Sequence, residues 1–210
     1  MSKFIALEGL DGSGKSTQMR LLREALAQRD LEVVWTREPG GTSIGEQIRI
    51  VLHDLANGSM LPITEALLYS AARAQLVAEV IRPALARGAV VITDRFAAST
   101  LAYQGYGHGL DLAVLRQITA LVTGGLVPDL TIYLDLAPER GLERKLADRR
   151  AGQGEWNRMD EQTMAFYQAV REGYLAMARE QPEHWLVLDA NGTIEGIHAQ
   201  IMDRIAALLP

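Results

Sequence analysis

Short apolar runs alternate with longer amphipathic stretches along the whole chain. Phe4-Ile5-Ala6-Leu7 is a compact apolar run of strand length. From Lys15 to Arg29 the apolar positions Met19, Leu22 and Leu26 step by three and four, the period of an amphipathic helix. Leu31 to Thr36 reads as a second strand. Pro39-Gly40-Gly41 then breaks the pattern, and Thr42 or Ser43 can cap a short helix to about Leu52. His53 to Pro62 reads as loop, with Asn57-Gly58 a turn signal. An Ala- and Leu-rich stretch from about Ile63 to Arg87 predicts a long helix with a kink at Pro83. Gly88 stops it, and Ala89 to Thr93 is a continuous apolar strand of the kind buried in a parallel sheet. Helical patterns follow at Ala97 to Tyr103 and Leu112 to Thr123. Leu130 to Leu136 is the fourth strand, and a helix runs from Pro138 to about Ala147. Beyond a polar segment, Met159, Phe166, Val170, Tyr174 and Met177 mark another helix. Trp185 to Leu188 is the last strand and Thr193 to Leu209 the last helix.

Five strands alternating with helices predict an α/β fold: a five-stranded parallel sheet with helices on both faces. Right-handed crossovers put the loops after each strand on one edge, where such sheets bind ligands. With 210 residues, no internal repeat and no low-complexity linker, we expect one domain over 1–210, carrying a short lid at about 148–157.

Composition narrows the function classes. The chain is 48% apolar and 22% charged, with net charge −5; no basic excess points to a nucleic-acid partner. There is no cysteine, so disulfide and thiol chemistry are excluded. No apolar run approaches the ~20 residues that span a bilayer. Met1-Ser2-Lys3 meets Glu8 too soon for a signal-peptide core. A soluble, cytoplasmic protein with no membrane partner is the expectation.

The candidate chemistry starts at Gly9 to Ser16, which fits G-x-x-x-x-G-K-[ST] between a strand and a helix. Glycines let backbone N–H groups turn inward on phosphate oxygens, and the helix adds its unpaired N–H groups and dipole. Lys15 can reach the β- and γ-phosphates, and the Ser16 hydroxyl can ligate magnesium. Asp94, directly following the third strand, is the expected acid for that ion, with Asp135 as its rival. Arg95 beside Asp94 favours the former. Arg37 follows the second strand and can fork a phosphate as lysine cannot. Tyr69 and Arg73 share a helix face, which suits a base site or simply an amphipathic fringe. Ser99, Thr100, Tyr103 and Gln104 follow Arg95. Gln104 can offer donor and acceptor to a base edge, while packing explains Tyr103 equally well. Between Arg140 and Arg158 basic and acidic residues interleave, mostly as a solvated face. Arg149-Arg150 stands apart, because it opens Gly152-Gln153-Gly154 and can close over a triphosphate. The four histidines show no metal-ligand spacing.

Taken together, FIALEGLDGSGKST at 4–17, TREPGGT at 36–42, DRFAASTLAYQG at 94–105, PDLTIYLDL at 128–136 and the stretch 157–174 resemble the bacterial thymidylate kinases over nearly the whole length. The resemblance implies a P-loop nucleoside-monophosphate-kinase fold and transfer of phosphate from ATP to dTMP, with Mg²⁺, in a homodimer. ATP is then expected at Gly9, Leu10, Asp11, Gly12, Ser13, Gly14, Lys15, Ser16 and Thr17, and Mg²⁺ at Ser16 and Asp94. It implies dTMP at Asp11, Arg37, Tyr69, Arg73, Arg95, Ser99, Thr100, Tyr103 and Gln104. In that set Tyr69 stacks on thymine, Arg73 reaches its carbonyl and Tyr103 blocks a ribose 2′-OH. Lys15, Asp11 and Arg95 are the expected catalytic residues, together with Arg149 or Arg150. Some members carry a basic residue within the phosphate loop; Gly12 stands there in this chain, so the lid should supply the arginine. Two departures are visible: Gly107-His108-Gly109 where Gly-Arg-Gly is common, and a lid less rich in arginine. The nearest alternative is a kinase of another nucleoside monophosphate or of a nucleoside. A GTP switch lacks its Asn-Lys-x-Asp here, and an ABC-type ATPase its Leu-Ser-Gly-Gly-Gln.

Overall fold

In the computed structural model, which describes residues 2–152 and 156–209, five parallel strands form one sheet in the order β2-β3-β1-β4-β5. The strands are β1 (Lys3–Gly9), β2 (Val33–Arg37), β3 (Val90–Asp94), β4 (Leu130–Asp135) and β5 (Trp185–Asp189). β1 is central, and its two faces are both buried, so its residues alternate between two cores. Ile5 and Leu7 pack with Leu22, Ile92, Ile132 and Ile201 on one face. Phe4 and Ala6 pack with Leu76, Ile81, Val91 and Phe96 on the other. The first core is covered by α1 (Lys15–Leu26) and α9 (Ile194–Leu208). The opposite face carries α3 (Pro62–Leu76), α4 (Arg82–Ala86) and α8 (Met164–Glu180), with Tyr133, Phe166, Val170 and Tyr174 forming a third cluster near the strand ends.

The strands and most helices match the apolar periodicity. α2 (Ser43–His53) begins at Thr42, whose side chain accepts from Gly45 N. α5 (Ala97–Thr100), α6 (Leu112–Thr123) and α7 (Pro138–Arg150) complete the set.

Three expectations need correcting. The long helix does not simply kink at Pro83. It widens into a π turn at Val77–Ile81, where Arg82 N donates to Val77 O five residues back. Pro83 has no N–H for the regular ladder, and the turn before it absorbs the misfit. A second π turn, Leu101–Gly107, follows α5 and carries Tyr103 and Gln104. Met159 is not on α8: it lies in a separate 3₁₀ turn, Arg158–Glu161, capped by Asn157, while Thr163 starts α8 by accepting from Phe166 N.

The strand register sets the functional edge. Leu7, Arg37 and Asp94 are aligned across β1, β2 and β3. The phosphate loop, Arg37-Glu38 and Asp94-Arg95 therefore leave the sheet at one level.

Candidate active site

Gly14 adopts φ +95 directly before α1, a left-handed turn that L side chains disfavour. Beyond it Lys15 folds back along the loop. Its Nζ donates to Gly9 O at 2.9 Å and Leu10 O at 3.1 Å, and lies 3.8 Å from Asp11 Oδ1. Burial, and then the nearby Arg95 charge, push the Lys15 amine down to about 8, against the pull of Asp94, Asp11 and Glu8. Gly12, at φ +79, presses against α7: a Cβ there would sit 2.5 Å from Gly141 O. The close contact leaves no room for a side chain of any charge at that loop position.

Asp11 gathers cations from three elements. Arg95 NH2 donates to its Oδ1 at 2.7 Å and Lys145 Nζ to its Oδ2 at 2.8 Å, with Lys15 nearby. Desolvation in the cleft works to raise the Asp11 carboxyl, but Arg95, Lys15 and Lys145 outweigh it and hold it well below the usual range. Lys145 also pairs with Asp160. Arg95 has φ +69; its N–H donates to Leu7 O at 2.8 Å and its carbonyl accepts from Thr93 Oγ1 at 2.9 Å. Beneath it is Glu8, fully buried, which accepts from Ser99 Oγ at 2.7 Å, Tyr174 Oη at 2.8 Å and Phe96 N at 2.9 Å. Burial pushes the Glu8 carboxyl up, against Arg95 and these donors.

A cavity of about 740 Å³ runs from the loop along this edge. Its walls bring together Asp11 to Thr17, Arg37, Tyr69, Asp94, Arg95, Ser99, Thr100, Tyr103, Gln104 and Arg149. Arg95 also lies 5.2 Å over the Tyr103 ring. Four expected residues do not line it. Gly9 contributes the carbonyl that holds Lys15, and Leu10 is buried with Tyr103 and Tyr133. Arg150 lies off the wall, whereas Arg149 stacks on Trp156 at 4.4 Å. Arg73 is 1% exposed and sits behind the wall. Its guanidinium donates to Glu38, closest at 2.6 Å, to Thr100 Oγ1 at 3.0 Å and to Phe96 O at 3.1 Å. Arg37 meanwhile holds Glu46 at 2.9 Å.

The acids after β3 and β4 differ in what they already bind. Asp135 takes Arg171 at 2.7 and 2.8 Å. Among the described residues Asp94 Oδ1 is buried without a hydrogen-bond partner, and Asp94 lines the cavity that Ser16 also lines. A hydroxyl and a carboxylate oxygen suit a hard cation such as Mg²⁺, which usually adds phosphate oxygens and waters. Among the described residues no group of three His, Cys, Asp or Glu is placed to hold a metal alone.

Several participants escaped the sequence reading. Arg144 and Lys145 fall in the stretch read as solvated, yet Arg144 donates to Gly12 O at 3.0 Å and Lys145 to Asp11. Their i, i+1 spacing hides that both turn towards the loop. Glu8 and Glu65 are lone acids in apolar segments, Glu38 stands beside Arg37 at a Pro-Gly-Gly turn, and only their distant partners give them meaning. α7 reaches Arg150, three residues past its expected end. Gln153, Gly154 and Glu155, the core of the expected lid, lie outside the described residues.

The family model described as thymidylate kinase matches residues 7–201. The thymidylate kinase of Roseiflexus castenholzii is 54% identical over 209 residues, covering 96% of this chain and 91% of that protein. That of Symbiobacterium thermophilum is 50% identical over 210 residues, covering 100% and 95%. The crystal structure of thymidylate kinase from Ehrlichia chaffeensis superposes with a TM-score of 0.78 at 33% identity, covering 98% of each chain.

Proposed function

The chain belongs to the thymidylate kinase family, and on that premise we propose that it moves the γ-phosphate of ATP onto dTMP in this cavity, with Mg²⁺ bound. The protein is an enzyme of nucleotide biosynthesis that phosphorylates dTMP. The observation that carries the site assignment is the continuity of the cavity, which joins the phosphate loop to the wall of Tyr69, Thr100, Tyr103 and Gln104.

In this reading the loop N–H groups and Lys15 hold the ATP phosphates. Arg95 and Arg37 hold the phosphate of dTMP, whose oxygen attacks the γ-phosphorus. The bond from that phosphorus to the β–γ bridging oxygen breaks, and ADP leaves with the electron pair. No side-chain nucleophile is needed, so alignment and charge neutralisation carry the barrier reduction. Mg²⁺, bound near Ser16 and Asp94, would supply further neutralisation of phosphate charge. Asp11 holds the cations ready before substrate arrives and faces the sugar of dTMP afterwards. Tyr69 stacks on the base, Ser99 and Thr100 line its pocket, and Tyr103 closes the space that a 2′-OH would need. Arg73 supports this wall from behind by holding Thr100 and Glu38. Of the lid arginines, Arg149 is the better candidate to reach ATP because it borders the cavity.

We include residence in the cytoplasm and a homodimer in the proposal. Exposed apolar side chains on three helices support the dimer: Ile50 and Val51 on α2, Ile63 and Leu67 on α3, and Val114 and Leu121 on α6. Among the described residues no helix is long and apolar enough to cross a membrane. Incubation with γ-labelled ATP tests the transfer itself: label should appear in dTDP, and label released only as free phosphate would contradict it.

A further inference from the structure

One buried acid touches the base-facing wall and has no part in the transfer described above. Glu65, on α3, is 0% exposed. Its Oε1 accepts from Gln104 Nε2 at 2.6 Å, and His108 Nε2 lies 3.4 Å from the same oxygen. Its Oε2 takes Arg158, which is anchored in turn by a 3.1 Å bond from Nε to Leu52 O.

An ionised carboxylate has acceptors only, so the contact with Gln104 requires the amide nitrogen. The Gln104 carbonyl oxygen is then left on the other side of the amide. Among the described residues it accepts no hydrogen bond, and Gln104 lines the cavity beside Tyr69 and Thr100. Turning the amide over would set oxygen against oxygen in a buried place, an arrangement that leaves two acceptors unpaired.

We infer that Glu65 is a positioning residue that locks the Gln104 carbonyl oxygen towards the acceptor base, so that the site selects a pyrimidine bearing N–H at ring position 3. The inference rests on the dTMP reading of the cavity and deepens it. Thymine and uracil donate from that nitrogen, whereas cytosine presents a lone pair to it. Burial works to raise the Glu65 carboxyl, but the neighbouring His108 and the hydrogen bonds from Arg158 and Gln104 outweigh it and keep it below its ordinary value. The acid therefore stays ionised and offers no O–H that would let the amide turn. Arg158 holds the carboxylate from its other oxygen.

A merely structural Glu65 would weaken every acceptor alike; an orienting one sets the ratio between acceptors. The test is kcat/KM for dTMP against dCMP in the wild type, Glu65→Gln and Glu65→Asp, with thermal unfolding recorded for each. The Gln variant offers an amide that tolerates either orientation of Gln104. The Asp variant keeps the charge for Arg158 but is one methylene too short to hold the amide. In either, the preference for dTMP should fall at least ~10-fold. Equal losses on both acceptors in a folded variant overturn the inference. Should neither variant fold, the wild type decides: N3-methylated dTMP, which cannot donate, should bind at least ~10-fold more weakly than dTMP, and equal affinity overturns it. A wild type inactive on dTMP would sink the functional reading itself, which is a separate outcome.

Discussion

Arg95 joins the two halves of the site, because it leaves β3, reaches Asp11 in the phosphate loop and lies over Tyr103. Arg95→Ala should raise KM for dTMP and lower kcat together, cutting kcat/KM on the order of 100-fold. Steady-state kinetics showing an unchanged kcat would contradict its part in alignment. Lys15 makes a pH prediction. Its folded value of about 8 lies below the ordinary 10.5. The charged form is thus disfavoured in the folded protein, and that cost is relieved as pH rises through this window. Phosphate binding needs the charged form, so kcat/KM for ATP should bend downward above pH 8, while the stability cost of Lys15 fades between about 8 and 10.5. A rate profile flat to about pH 10 would contradict the assignment. Lys15 and Arg95 were legible as residues of this edge because a motif or a strand end marks them, and Asp11 only through the family resemblance. Glu65 was not: an acid on an Ala- and Leu-rich helix gives no signal until residues 39 and 93 positions away close on it.

At the scale of elements, the strand ends were readable, since parallel strands announce themselves as apolar runs and put their loops on one edge. The π turns were not, because their hydrophobic spacing is close to that of an ordinary helix. The docking of α7 on the phosphate loop was equally invisible. There Gly12 and Gly141 meet backbone to backbone: a Cβ on Gly141 would lie 2.7 Å from Asp11 O. Gly141→Ala should push α7 off the loop, disturb the Lys145 and Arg144 contacts, and destabilise the fold by about 1–3 kcal/mol. We expect kcat to fall more than KM rises, read by kinetics alongside thermal unfolding. A variant with wild-type kcat would show that the close approach of α7 has no bearing on transfer.

Across the whole molecule, a parallel sheet with β1 at its centre brings segments from four strand ends to one cavity while leaving α2, α3 and α6 with apolar surface outside. Leu67→Asp combined with Leu121→Asp should convert the proposed dimer to a monomer, as judged by light scattering after size exclusion. A wild type already monomeric would remove the dimer from the account. The central claim is narrower: one cavity takes ATP on the loop side and dTMP on the wall side. ADP release with ATP and Mg²⁺, compared across dTMP, dUMP, dCMP, AMP and thymidine, tests it most directly. The account predicts the highest kcat/KM with dTMP, weak or no turnover of dCMP and AMP, and none of thymidine, which brings no phosphate for Arg95. Preferred turnover of AMP or of thymidine would keep the phosphate loop and contradict the acceptor site built here.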